Sequence, residues 1–163
     1  MLSTPQTIRL AEKSDLPLLN AALAALSAEL DDPHPATPEF LEQAGFGPLP
    51  AFYALIAQSR PDALDGAIMF SPVTSTSMAS TGSFVSDLWV AESTRGSGLG
   101  RRLLAAAADW SAAKWGAGYI KLAVYDQSVK SRQFYDRLGF APKDGETTMF
   151  LDKSGFETLK GCK

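Results

Sequence analysis

The spacing of apolar and polar residues divides the chain into alternating strand and helix signals. Thr7–Leu10 is short and β-prone. Ser14-Asp15 reads as a helix start. From Leu16 to Leu30 apolar residues recur at Leu19, Leu23, Leu26 and Leu30, the spacing of one helical face. Asp31–Pro38 then carries Pro33, Pro35 and Pro38, which cannot continue that helix. Thr37-Pro38 predicts a second helix with Thr37 as N-cap, running to Ala44. Gly45–Pro50 reads as a loop. Ala51–Gln58, Asp65–Phe70 and Ser83–Val90 are strand candidates, and the Ser/Thr-rich Pro72–Ser83 reads as a hairpin-like connection. Arg101–Trp115 is a strong helix signal, with Leu103, Leu104, Ala107 and Trp110 as its apolar stripe and Gly116 as its end. Tyr119–Tyr125 reads as a buried strand, Ser128–Leu138 as a helix closed by Gly139, and Thr147–Leu151 as a last strand after the turn Lys143–Glu146. The order β–α–α–β–β–β–α–β–α–β predicts an α/β (α+β) fold, a mixed sheet with helices on its faces.

The chain of 163 residues fits one domain over 1–163, and no repeat, low-complexity tail or linker divides it. A 45% hydrophobic and 20% charged composition is that of a globular protein. The net charge of −3 supplies no basic face for nucleic acid, so no nucleic-acid partner is expected. The single cysteine, Cys162, excludes a disulfide framework or a CxxC metal pair within the chain. With no secretory signal in Met1–Leu10, no apolar run of membrane length and no lipidation motif, the expectation is a cytoplasmic protein with no membrane partner.

The strongest chemical signal is Arg95-Gly96-Ser97-Gly98-Leu99-Gly100, set between a predicted strand and a predicted helix. Glycines let backbone N–H groups turn toward a ligand, and the helix that follows offers free N–H groups and the positive end of its dipole. A phosphate or pyrophosphate suits such a cradle. A plain loop before a helix has the same composition. No GK[ST] follows, so this is no Walker loop, and its place past mid-chain does not suit a Rossmann site.

Val90 to Leu104, with Arg95, Gly98 and Gly100 in its fixed positions, resembles the [RQ]-x-x-G-x-[GA] acetyl-CoA motif of the GNAT superfamily of N-acetyltransferases. Further on, Phe134-Tyr135-Asp136-Arg137-Leu138-Gly139-Phe140 resembles the family's FYxxxGF segment. The likeness is specific from Val85 to Phe140, and looser to the diamine and polyamine branch. It implies a GNAT fold with a mixed sheet of six to seven strands, and acetyl-CoA as co-substrate between splayed fourth and fifth strands, here Ser83–Val90 and Tyr119–Tyr125. It implies that the backbone of Leu88, Trp89 and Val90 pairs with the pantetheine arm. It also implies that N–H groups of Arg95, Gly96, Ser97, Gly98, Leu99, Gly100 and Arg101 hold the pyrophosphate, with Ser128 and Ser131 near the cofactor.

The implied reaction moves an acetyl group to the primary amine of a small molecule. Acetylation of a protein N-terminus or lysine, and a non-catalytic acyl-CoA-binding domain, are the alternatives. A homodimer is compatible with the resemblance. Tyr135 is the implied acid for the departing thiolate, with core packing beside Phe134 and Leu138 as the other reading. The base is open. The family's Leu-Glu-Asp pattern is here Val85-Ser86-Asp87, so the glutamate position is Ser86. Asp87 lies on the other face of a regular strand and needs a bulge to re-aim it. A water chain, or an acid such as Glu29, Asp31 or Asp32, is a further candidate. Ser128 stands where relatives often carry asparagine and is expected to cap its helix. Trp89 is a candidate for the substrate side. His34, alone between prolines, makes no metal site, so no metal is expected.

Overall fold

The computed structural model describes residues 6–162. It divides into two compact units, Met1–Tyr125 and Asp126–Lys163.

The first unit holds five strands: β1 (Thr7–Leu10), β2 (Tyr53–Gln58), β3 (Gly66–Ser75), β4 (Ser80–Val90) and β5 (Ile120–Leu122). They form one sheet in sequence order, antiparallel from β1 to β4 and parallel between β4 and β5. Helices α1 (Leu16–Glu29), α2 (Pro38–Gly45) and α3 (Leu99–Trp115) belong to this unit.

Alternation along the strands feeds two cores. Ala54 and Ile56 of β2, with Ala67 and Met69 of β3, face Leu16, Leu19, Ala22 and Leu23 of α1 and Leu41 of α2. The other face carries Phe70, whose ring packs edge-on to Trp110 of α3 at 5.6 Å. Gly66 lies on that face too, where an added Cβ would come within 2.9 Å of Leu103. Each fully buried leucine, such as Leu19 or Leu103, contributes roughly 2 kcal/mol of transfer free energy.

Helix ends follow the sequence signals. Thr37 caps α2 through its Oγ1, which accepts the Phe40 N–H at 3.2 Å. Beyond α1, Asp31 adopts φ +58°, and the Asp32 N–H donates to the Ser27 carbonyl at 2.9 Å, a Schellman closure made without glycine. Gly116, at φ +70°, ends α3. The Trp115 indole N–H donates to the Gly82 carbonyl at 3.0 Å, and Gly82 has no side chain because the Tyr119 ring lies over it. The start of β5 is thereby set against β4.

Several expectations are corrected. Pro72–Ser83 is the hairpin expected there, but it is made by β3 and β4 themselves rather than by a connection between them. Most of it extends β3 and β4 into a long hairpin, closed by a turn in which Ala79 takes φ +47°. Ser/Thr-rich sequence gave no alternating apolar signal there because this end of the hairpin is largely solvated. The strand expected over Tyr119–Tyr125 is only Ile120–Leu122. The sheet has five strands rather than six to seven, since Thr147–Leu151 is not a strand. A strand exists only through its ladder partners, and among the described residues none pairs with that segment.

The second unit contains α4 (Val129–Arg137) and α5 (Lys153–Gly161). Helix α5 was not expected from the sequence. Its signal is Asp152, whose carboxylate caps the helix by accepting the Gly155 N–H at 2.8 Å.

A buried carboxylate fixes the entry to α1. Asp15 accepts two hydrogen bonds from Arg9, at 2.6 and 2.8 Å, and one from the Glu12 N–H at 2.7 Å. The Arg9 hydrogen bonds, above all, hold its pKa below the usual carboxylate value against the opposing effect of burial. The stabilisation is therefore present above the unfolded-state pKa of about 3.9 and fades as pH falls through the lower folded value. Asp15→Asn is expected to lower stability at pH 7 by about 1–2 kcal/mol, Arg9 being partly exposed. Urea unfolding at pH 7 and at pH 3 checks this, with a smaller gap between variant and parent at pH 3.

Candidate functional site

The parting of β4 from β5 lies at the β5 side of the five-stranded sheet. Parallel pairing covers Ser83↔Ile120, Phe84↔Lys121 and Val85↔Leu122, and stops there. β4 runs on from Ser86 to Val90, paired only with β3. Leu88, Trp89 and Val90 all lie on this stretch, beside an edge that no strand occupies among the described residues.

The parting coincides with a bulge. Val85 stands opposite Phe70 and Asp87 opposite Met69, so Ser86 is an extra residue in β4. Val85 therefore faces α3 with Phe70, whereas Asp87 and Trp89 face the α1/α2 side with Met69 and Ala67. The bulge supplies the re-aiming that Asp87 needed. Trp89 packs against the α1/α2 core, and its indole N–H is buried without a partner.

After β4 a short 3-10 turn, Glu92–Thr94, leads into the glycine loop. The turn is pinned by Thr94 Oγ1, which donates to the Asp65 carbonyl at 3.1 Å. Gly96 and Gly98 both take φ +80°, and Gly98 is the N-cap of α3 with no side-chain cap. The first helical bond runs from the Arg102 N–H to the Gly98 carbonyl, so the N–H groups of Leu99, Gly100 and Arg101 come before it. The Ser97 hydroxyl donates to the Thr94 carbonyl at 2.6 Å, and Arg101 is exposed. This is an anion-binding geometry at a helix N-terminus. The Arg95 side chain is engaged elsewhere. Its Nε–H donates to the Val90 carbonyl at 3.0 Å and its Nη2 pairs with Glu29 at 2.6 Å.

The end of α1 makes a second tie, with Tyr125 Oη donating to Asp32 at 2.8 Å. Hydrogen bonding to that carboxylate raises the Tyr125 pKa. His34 is hydrogen-bonded through its two ring nitrogens to Ser27 and Asn20, each at 3.1 Å, and so fastens its loop to α1. Among the described residues no group of three or more His, Cys, Asp or Glu is placed to hold a metal, and no helix is long and apolar enough to cross a membrane.

In the second unit, the FYxxxGF segment is a helix stop. Gly139 takes φ +90° and the Phe140 N–H donates to the Tyr135 carbonyl at 3.1 Å. The Phe140 ring packs edge-on to Tyr135 at 5.4 Å, the side-chain contact that accompanies a Schellman closure. Tyr135 also meets Phe134 at 5.1 Å, and burial raises its pKa. Its phenol thus stays protonated across the neutral range. Ser128 precedes α4 but its side chain makes no cap. It takes ψ +64°, outside the extended conformation from which a capping hydroxyl usually reaches back. Ser131 is exposed on α4.

The acetyltransferase (GNAT) family model matches residues 19–140, most of the chain. The chain belongs to the GNAT family. As a GNAT N-acetyltransferase it shares its fold with many solved structures. An integron cassette protein from the mobile metagenome of V. cholerae superimposes with a TM-score of 0.77 at 17% identity, covering 97% of this chain and 99% of that one. A ribosomal-protein-alanine N-acetyltransferase from Brucella melitensis biovar Abortus 2308 gives 0.72 at 19% identity, with 90% and 99% covered. An aminoglycoside acetyltransferase from an uncultured soil metagenomic sample, solved with sisomicin, gives 0.72 at 14%, with 90% and 95% covered. No curated protein sequence matches this GNAT chain.

The cradle's shape depends on backbone conformation more than on space. A Cβ at Gly98 would meet nothing within 4 Å, yet the φ of +80° is one that side chains resist. Gly98→Ala is expected to lower stability by about 1–2 kcal/mol, measured by urea unfolding.

Proposed function

We propose that this GNAT protein transfers an acetyl group from acetyl-CoA to a primary amine of a small molecule, by direct attack in a ternary complex. The observation that carries the reading is the parting of β4 from β5 beyond Val85, next to the uncapped N-terminus of α3. An open strand edge suits the amide groups of a pantetheine arm, and the helix N-terminus suits a pyrophosphate. In this reading the backbone of Leu88 pairs with the arm, whereas Trp89, opposite Ala67, turns its N–H and carbonyl toward β3. Val90 faces the same edge as Leu88; its carbonyl already accepts from Arg95, and its N–H is left for the arm. The N–H groups from Gly96 to Arg101 take the pyrophosphate. Arg95 acts mainly as a brace, because its guanidinium joins Val90 to Glu29. Ser131, rather than Ser128, is the better placed of the two serines to meet a ligand, being the more exposed.

An alkylamine is mostly protonated at neutral pH and must lose a proton before it attacks the thioester carbon. A β4 backbone N–H is suited to the oxyanion that forms. Tyr135 is assigned the acid that protonates the departing thiolate, from its place in the FYxxxGF segment and its protonated state. The single cysteine fits a cytoplasmic setting. One structural neighbour, an aminoglycoside acetyltransferase solved with sisomicin, has a small molecule for its ligand, in keeping with the acceptor class proposed here.

The first test incubates the protein with acetyl-CoA and a panel of diamines, polyamines, aminoglycosides, amino acids and a lysine peptide, and follows CoA thiol release. Release with a small amine supports the proposal. Release with the peptide alone moves the acceptor to proteins, and acetyl-CoA binding without release makes the chain a binding domain. Tyr135→Phe keeps the ring against Phe140 and removes only the hydroxyl. Turnover is expected to fall roughly 100-fold or more, with acetyl-CoA affinity, read by calorimetric titration, unchanged.

A further inference from the structure

We infer that Lys121 is a site of self-acetylation, its side-chain amine taking the acetyl group from acetyl-CoA held in the slot; this modification rests on the acetyl-transfer reading above. The direction of the bound arm comes first. The cradle follows Val90 in the chain, so an arm anchored there runs back along the free edge of β4, from Val90 toward Ser86. That edge is four residue steps long, about 13 Å, a length that an extended pantetheine arm spans. The sulfur end, which carries the acetyl group, therefore comes to the fork, where the last pair of β4 with β5 is Val85↔Leu122.

Lys121 stands one residue before that pair, opposite Phe84. Strand alternation sets its direction. Val85 faces α3 with Phe70, so Phe84 and its partner Lys121 face the α1/α2 side, while Ile120 and Leu122 turn to the α3 side. Burial agrees, since Ile120 and Leu122 are half-buried and Lys121 is exposed. Lys121 is thus the one nucleophile-bearing side chain of β5, on the face opposite the helix whose N-terminus forms the cradle. Its flexible four-carbon stem has to cover one strand step, about 3.3 Å, to reach the fork. The other lysines of the first unit are placed differently. Lys13 pairs with Glu42 at 3.0 Å, and Lys114 lies fifteen residues along α3 from Leu99, about 22 Å. An amine held beside a thioester reacts far faster than one that must collide with it.

The transfer balances without a further reactant. The lysine ammonium gives up one proton to solvent, and the freed lone pair forms the C–N bond to the acetyl carbon as the C–S bond breaks. The second proton lost by nitrogen goes to the thiolate through solvent. One acetyl-lysine, one CoA thiol and one proton in solution result, and the positive charge at the fork is gone.

The test incubates the full chain with acetyl-CoA and no amine, and follows the acetyl group on each lysine by peptide mass spectrometry. Lys121 is expected to be modified at least roughly tenfold faster than Lys114, at a rate per molecule that does not change with protein concentration. Excess CoA, which fills the slot without an acetyl group, should suppress labelling of Lys121 and leave that of Lys114 unaltered. With acetyl phosphate, a donor lacking the pantetheine arm, the preference should vanish. Lys121→Arg should bring thiol release in the absence of amine down to background. Equal labelling of the two lysines, no labelling of Lys121, labelling that CoA does not suppress, or a per-molecule rate that grows with protein concentration each overturns the assignment of Lys121. Thiol release with a small amine, assayed in parallel, keeps the acetyl-transfer reading in any of those cases. A protein that neither labels Lys121 nor releases thiol with any amine overturns both.

Discussion

One extra residue in one strand organises this molecule. From Ser83 to Val85, β4 is an ordinary member of the sheet, paired on both sides. At Ser86 the two-for-one register bends it, and β5 no longer follows. The consequence is local and double. A stretch of backbone is left with unsatisfied donors and acceptors, and the side chains beyond the bulge change faces. An open edge and an altered set of faces thus come from the same irregularity. The surrounding sheet tolerates it because β3 holds β4 along its whole length on the other side.

The two cores hold that irregularity in place. α3 is fixed by the close approach of Leu99 and Leu103 to Gly66, which brings the glycine loop to the end of β4. Thr94 and Arg95 then fasten the loop to the ends of β3 and β4. On the opposite face α1 reaches both walls of the parting, through Glu29 to Arg95 on the β4 side and Asp32 to Tyr125 on the β5 side. The polar ties are exposed, and each adds little to stability. Their effect is on position, setting where the end of α1 lies over the slot.

Much of this was legible in the sequence, for reasons that differ by element. α1, α3 and the central strands announce themselves because burial imposes a period on their apolar residues. The glycine loop announces itself because only glycine takes φ +80° easily, at both Gly96 and Gly98. The long hairpin arms and the shortness of β5 were not legible. Pairing is a property of two segments, and Ser/Thr-rich residues carry no facial pattern. The bulge was named as a condition but could not be located, because nothing in Val85-Ser86-Asp87 says which residue is left over. Tyr135 is a case of ambiguity that the structure explains. Its motif is a helix stop, so a match to FYxxxGF reports a turn geometry whatever chemistry Tyr135 carries.

The open edge of β4 has a consequence for the protein when it stands empty. Unpaired strand backbone is a template for any extended chain, including a misfolded neighbour. Here the exposed run is short, bent at its start and marked by the negative charge of Asp87, features that discourage edge-to-edge growth. A ligand seated on that edge would also act as a guard against self-association, so the shelf life of a purified sample should depend on what is bound in the slot as well as on how well the fold is packed.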